Sequence, residues 1–124
     1  FRTQNSVYPQ FPTMRYCFAL DLINDEEKIA EYEKWHLEVW PEIITSIKAA
    51  GIVEMEIYRV LNRLFMIMES KEDFSFKKKS EDDAINEKVQ QWEKLMWNYQ
   101  QPLPGAKPGE KWIMMNKIFS LGNQ

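Results

Sequence analysis

An α+β fold built on one antiparallel sheet is what this 124-residue chain predicts. Three observations carry that expectation. Strand-like segments rich in β-branched and aromatic residues are separated by segments whose apolar residues recur at spacings of three and four. Two of the strand-like segments, 52–60 and 64–69, are joined only by Leu61-Asn62-Arg63, a connection that suits a hairpin. Hydrophobic residues make up 44% of the chain, enough for one core in a single domain of this length.

Residues 1–13 lack periodicity and include Pro9 and Pro12. They read as an irregular N-terminal arm or an expression remnant, with Met14 as the natural start of one domain over 14–124. Arg15 to Ile23 predicts a strand, with Tyr16, Phe18, Leu20 and Leu22 on one face and Cys17 and Ala19 on the other. Both faces are largely apolar, so this strand should be central. Asn24-Asp25 supplies a helix N-cap, and Glu26 and Glu27 suit the positive end of the helix dipole. The helix should run to about Val39. Pro41 either kinks it or begins a second segment reaching Ala50, where Gly51 is a good stop. Ile52–Val60 and Leu64–Glu69 are the hairpin strands. Residues 73–79 form a weak helix and Asp83–Tyr99 a stronger one. Gln101–Gly109, with Pro102, Pro104 and Pro108, is a turn-rich loop, and Lys111–Leu121 is the last strand.

The resulting order, β-α-β-β-α-β, is the ferredoxin-like arrangement, an antiparallel sheet with helices on one face. Its other face needs a cover. Two such sheets packed together make a dimeric α/β barrel. The hairpin's Ile57, Leu64, Phe65, Met66, Ile67 and Met68 favour that homodimer over a monomer with one wet face, which would show cleaner polar alternation.

Composition narrows function. The net charge is −3, and the basic run Lys77-Lys78-Lys79 is followed at once by Glu81, Asp82 and Asp83. This argues against nucleic acid as a partner. One cysteine excludes an internal disulfide framework and a cysteine-based zinc site. One histidine excludes a histidine-rich metal site, while a carboxylate-rich site stays open. No apolar run approaches the ~20 residues of a membrane span, and no signal-peptide pattern is present, so the expectation is a cytoplasmic protein without a membrane partner. Aromatic residues reach 14%. They serve a core, an oligomer interface or a sugar-binding surface equally well.

The single histidine, His36, stands in an unusual setting. If the helix continues through it, Tyr32, Trp35, His36, Val39 and Trp40 share one stripe, extended by Ile43, Ile44 and Ile47. Imidazole is the side chain whose ordinary pKa, about 6.5, suits proton transfer at neutral pH. A histidine satisfied at a core edge is the commoner outcome and competes with that reading. On the long second helix, Trp92 and Met96 share a face, with Glu93 and Trp97 beside them. On the second strand, Met55 and Ile57 face one way and Glu54, Glu56 and Tyr58 the other. In this fold the first helix, second strand and second long helix border one cleft. Imidazole, phenol, indole and carboxylate together suit a small polyol: rings stack on the C–H face of a sugar, and polar groups read its hydroxyls. There is no phosphate-cradling glycine loop, no Ser-His-Asp order and no nucleotide fingerprint.

The string Glu31-Tyr32-x-x-x-His36-x-x-x-Trp40-Pro41-Glu42, with Met55-Glu-Ile-Tyr58, Asn62-Arg-Leu-Phe-Met-Ile-Met-Glu69, Gln91-Trp92-Glu93-x-x-Met96 and Lys117-Ile-Phe-Ser-Leu121, resembles the L-rhamnose mutarotase family over about residues 14–121. The resemblance implies a ferredoxin-like homodimer, an isomerase that exchanges the anomers of a monosaccharide without a cofactor or metal. It puts the general acid/base on His36 and a sugar-contacting tyrosine on Tyr32. Two positions depart from the rhamnose type. Met55 stands where that type has a second tyrosine, and Trp92-Glu93 where it has tandem tryptophans. The segments around Glu54–Tyr58, Leu95–Trp97 and Gln100–Pro104 look instead like a branch associated with L-fucose. The implied substrate-binding set is therefore Tyr32, Met55, Trp92 and Glu93, with L-fucose favoured over L-rhamnose. A dimeric-barrel monooxygenase and a non-catalytic sugar-binding dimer are the alternatives, both by analogy of fold.

Overall fold

The computed structural model describes residues 12–124, so the predicted arm over 1–13 lies almost wholly outside the described residues. Strand β1 (Thr13–Leu22) leads to helix α1 (Glu26–Trp35) and helix α2 (Pro41–Ala49). Strands β2 (Ile52–Val60) and β3 (Arg63–Lys71) follow as a hairpin, then helices α3 (Phe76–Ala84) and α4 (Glu87–Trp97). Two short strands, β4 (Gln100–Gln101) and β5 (Ile113–Met114), complete the sheet. The order is β2-β3-β1-β4, all antiparallel, with β5 also paired to β1. Strand β1 is central, as its two apolar faces predict. None of the described helices is long and apolar enough to cross a membrane.

Register decides which side chains reach the helices. Leu20 pairs with Leu64, Phe18 with Met66 and Tyr16 with Met68 on one face, and Met55 and Ile57 of β2 sit opposite Met68 and Met66. A bulge between Ile52 and Glu54 inserts one residue, so Ile52 shares this face with Met55 despite the odd spacing. Leu22, Tyr32, Leu64, Met96 and Tyr99 form the buried cluster beneath the helices. The opposite face carries Cys17, Ala19, Phe65 and Ile67. Of the six hairpin residues expected to favour a covered outer face, only Phe65 and Ile67 point there. Leu64, Met66, Met68 and Ile57 belong to the helix side.

Helix ends differ from expectation where local hydrogen bonds outweigh periodicity. The Asp25 carboxylate accepts from Lys28 N at 3.0 Å and starts α1. The helix stops at Trp35 rather than Val39, and Pro41 opens α2 as its first residue. Ser75 caps α3 through Lys78 N, shifting that helix past the expected 73–79, and Lys78–Asp82 and Lys79–Asp83 pairs support its exposed turns. Asn86 accepts from Lys88 N and Val89 N, so α4 begins three residues after Ala84. The last strand is far shorter than Lys111–Leu121. Only Ile113–Met114 pair with β1, and Met115 N adds one bond to Cys17 O at 2.7 Å.

The tip of the hairpin is locked to the end of β1. Leu22 N donates to Asn62 O, and Asn62 Nδ2 donates to Leu22 O at 3.0 Å. Beside them the Asp21 carboxylate, with a residue exposure of only 4%, accepts from Arg63 Nε at 2.8 Å and Nη2 at 3.2 Å. A buried carboxylate that loses its cation keeps its desolvation cost. Arg63→Met should therefore lower stability, though by less than breaking a fully buried pair would, because the guanidinium is half in water. Urea unfolding checks this; an unchanged midpoint would mean that water already screens Asp21.

Candidate functional site

Between the sheet and the helices lies an open cavity of about 810 Å³. Tyr32, His36, Met55, Trp92 and Glu93 all line it, so the whole set implied by the resemblance borders one space. Three more lining residues, Gln100, Lys111 and Trp112, come from the segment read as loop and strand. No local pattern marks them, because their positions depend on the pairing of β4 and β5 with β1.

His36 caps α1. Its backbone N–H turns to Glu33 O at 3.1 Å, tightening the last turn. The carbonyl of Tyr32 takes the imidazole instead, with His36 Nδ1 at 2.8 Å. A carbonyl only accepts, so Nδ1 carries the proton and the neutral ring presents Nε2 as its lone-pair nitrogen. Among the described residues Nε2 has no protein partner. The core-edge reading thus accounts for one ring nitrogen and leaves the other available in a half-buried position.

Tyr32 is 3% exposed, and its ring lies 4.5 Å from that of His36, centroid to centroid. Burial pushes its phenol pKa above the ordinary value, and a hydrogen bond from Gln100 Nε2 at 3.3 Å opposes that shift. The phenol is therefore protonated at neutral pH. Since Gln100 donates to its oxygen, the hydroxyl proton is free to be given elsewhere.

Trp92 is the hub of the wall. The rings of Trp40, His36 and Trp35 meet it edge to face at 5.1, 5.9 and 6.4 Å. Trp35 Nε1 in turn donates to Tyr99 Oη at 3.2 Å, and Tyr99 donates to Glu31 at 3.0 Å, bracing α1 against the end of α4. Packing and lining are thus both roles of Trp92, which is half-buried against the core cluster. The single helical stripe does not survive: in the link between α1 and α2, Val39 lines the cavity, Trp40 packs on Trp92 behind it, and Leu37 is largely exposed at its edge. At the rim, Glu93 Oε1 stands 3.9 Å from Lys111 Nζ.

Comparison with known proteins shows the family. The family model described as L-rhamnose mutarotase matches residues 15–121. The chain is 48% identical over 109 residues to an L-fucose mutarotase of Xanthomonas campestris pv. campestris, covering 86% of this chain and 87% of that protein. It is 30% identical over 88 residues to an L-rhamnose mutarotase of Acidiphilium cryptum, covering 68% and 79%. Among solved structures, an L-rhamnose mutarotase from Formosa agariphila superposes with a TM-score of 0.64 at 24% identity, covering 87% of this chain and 98% of that one, and shares the fold.

The imidazole geometry makes a direct prediction. Nitrogen-15 NMR at alkaline pH should show His36 with its proton on Nδ1, the less common tautomer of a free histidine side chain. A signal pattern with Nε2 protonated would mean that the ring does not donate to Tyr32 O in solution.

Proposed function

The chain belongs to the L-rhamnose mutarotase family, and from that membership we propose that it interconverts the α and β anomers of a free 6-deoxy-L-hexose, with L-fucose preferred over L-rhamnose. The observation that carries this reading is the pinned imidazole: Nδ1 is held by Tyr32 O, Nε2 is free, and the ring stands in a wall of aromatic side chains.

Anomer exchange needs two proton movements and one bond rotation. Nε2 of His36 accepts the anomeric hydroxyl proton as the ring C–O bond opens, and the ring oxygen gains a proton. The open aldehyde turns about its C1–C2 bond. The former ring oxygen then attacks the other face, gives up its proton, and the new anomeric oxygen takes one back. Protons balance over the cycle, and neither a covalent intermediate nor an electron transfer occurs. General acid/base assistance of this kind is worth about 10²–10⁴-fold. Tyr32 contributes a hydroxyl donor whose oxygen is already held by Gln100. Trp92 offers an indole for the C–H side of the sugar, and Met55 an apolar contact from the sheet.

L-fucose and L-rhamnose have opposite configurations at C2 and C4. Preference for L-fucose is supported by the 48% identity to the Xanthomonas enzyme named for it, against 30% to the Acidiphilium rhamnose enzyme. It is supported too by Glu93, an acceptor in place of an indole. We assign the enzyme to the cytoplasm, where free monosaccharides are metabolised. It acts as a homodimer joined through the helix-free sheet face. Apolar Cys17, Ala19, Phe65 and Ile67 on that face support this, as does the exposed C-terminal run, in which Ile118 is 96% and Leu121 78% accessible.

Saturation-transfer NMR of the anomeric protons tests the activity. Added protein should speed exchange for L-fucose more than for L-rhamnose, and a protein that speeds neither is not a mutarotase for these sugars. His36→Asn should lose about 10²-fold or more while remaining folded by circular dichroism. Tyr32→Phe should lose less, on the order of 1–3 kcal/mol in the activation free energy. A folded His36→Asn variant at wild-type rate would remove the acid/base assignment.

Sedimentation at micromolar concentration should give a dimer. Replacing Phe65 and Ile67 by lysine should give a monomer of lower stability. A monomeric wild-type protein would contradict the barrel.

A further inference from the structure

We infer that Lys111 reads the substrate together with Glu93, the two forming a clasp for a cis-vicinal diol, so that the enzyme's substrate class is sugars of L-galacto configuration. This rests on the mutarotase reading above and names the substrate class of the same site.

Lys111 and Glu93 both line the cavity, one from the segment before β5 and the other from α4. Their charged atoms stand 3.9 Å apart, an ion pair in charge but beyond hydrogen-bond distance. Neither side chain makes a hydrogen bond to any other described residue. The carboxylate therefore keeps its acceptor capacity and the ammonium its donors, both facing a space where a ligand fits.

The ammonium is nevertheless held in place. It lies 4.9 Å from the centre of the Trp97 ring, one turn along α4 from Glu93, where the aromatic face attracts it. The backbone around it is anchored on both sides. Before it, Lys107 N donates to the Glu110 side chain at 2.7 Å, and Glu110 N donates back to Lys107 O at 3.0 Å. After it, Trp112 packs against the core cluster and Ile113–Met114 pair with β1. Holding donors and acceptors before the ligand arrives reduces the ordering cost of binding.

A held ammonium beside a carboxylate with open acceptors matches two neighbouring hydroxyls on one face of a ring. One hydroxyl oxygen accepts from Lys111 while the other hydroxyl donates to Glu93. In L-fucose, as in L-galactose, the cis pair is O3 and O4, away from the anomeric carbon. In L-rhamnose it is O2 and O3, next to that carbon. In the proposed clasp the anomeric centre lies at His36, which is packed against Tyr32 and Trp92, and the far pair at the half-exposed Glu93–Lys111 rim of the same cavity.

The test is Lys111→Met, which keeps the apolar stem over Trp97, with Glu93→Gln and the double variant. For each, KM and kcat are measured for L-fucose, L-galactose and L-rhamnose, and dissociation constants are measured separately by saturation-transfer difference NMR. Loss of a charge-assisted hydrogen bond should raise the L-fucose and L-galactose KM about tenfold or more. kcat should stay within about threefold and the L-rhamnose KM nearly constant, because binding and not the proton transfer is changed. The double variant should bind L-fucose more tightly than the product of the single losses predicts, as expected for groups that share one diol. Three outcomes overturn the clasp: an L-fucose KM within threefold of wild type, equal weakening for all three sugars, or strictly multiplicative losses. If the wild-type protein exchanges no sugar, the mutarotase reading fails, and the dissociation constants still decide the clasp.

Discussion

The site depends on how one helix ends. In a continuing α-helix the Tyr32 carbonyl would accept the amide of residue 36. Here that amide turns to Glu33 O, and the carbonyl freed by the tightened turn takes the imidazole of the same residue. One change of hydrogen-bond partner thus ends the helix, satisfies an orphan carbonyl and chooses the histidine's tautomer. Pro41 contributes from outside. It opens α2 with its ring already set for the first helical turn, and the link from Leu37 to Trp40 turns the chain between the two helices. An imidazole held at a helix end needs no second side chain to orient it, because the backbone does so.

The aromatic load of the chain is spent twice. Tyr32, Tyr99 and Trp92 pack on Leu22, Leu64 and Met96 under the helices, and Tyr32 and Trp92 also border the cavity. Edge-to-face contacts among Trp35, His36, Trp40 and Trp92 fix each ring's orientation more firmly than aliphatic contacts would. Core and site are therefore one structure, and a large change at Trp92 would disturb both. Glu93 and Lys111, half-exposed at the rim, stand apart from that shared packing.

What was legible in the residues follows the same division. Strands β1, β2 and β3 were visible because their side chains alternate against a helix layer, and Met55 fell on the cavity face for that reason. The Tyr32–His36 pair was visible because four residues make about one turn. The end of α1 was not, since Val39 and Trp40 keep the helical spacing after the helix has stopped. The final strand was overread for a related reason: apolar residues continue through Ile118, Phe119 and Leu121, but backbone pairing with β1 ends at Met115. That Gln100 and Lys111 line the cavity was not legible, although the segment Gln100–Pro104 figured in the resemblance. Each owes its place to pairing with a strand about eighty or more residues earlier, and no local pattern encodes that.

The chemistry also explains the character of the cavity. An aldose that has opened must rotate its aldehyde before it closes, so a site that held every oxygen would trap the open form. Trp92 meets the His36 ring edge to face, and Met55 and Met96 add thioethers to the same lining, groups that do not grip an aldehyde oxygen. In the proposed clasp Glu93 and Lys111 hold the far end of the sugar at the rim while its anomeric end turns, so binding strength and freedom to react fall at opposite ends of the same ligand. A small antiparallel fold achieves this by letting the helix layer supply the base and the ring wall while a loop supplies the rim.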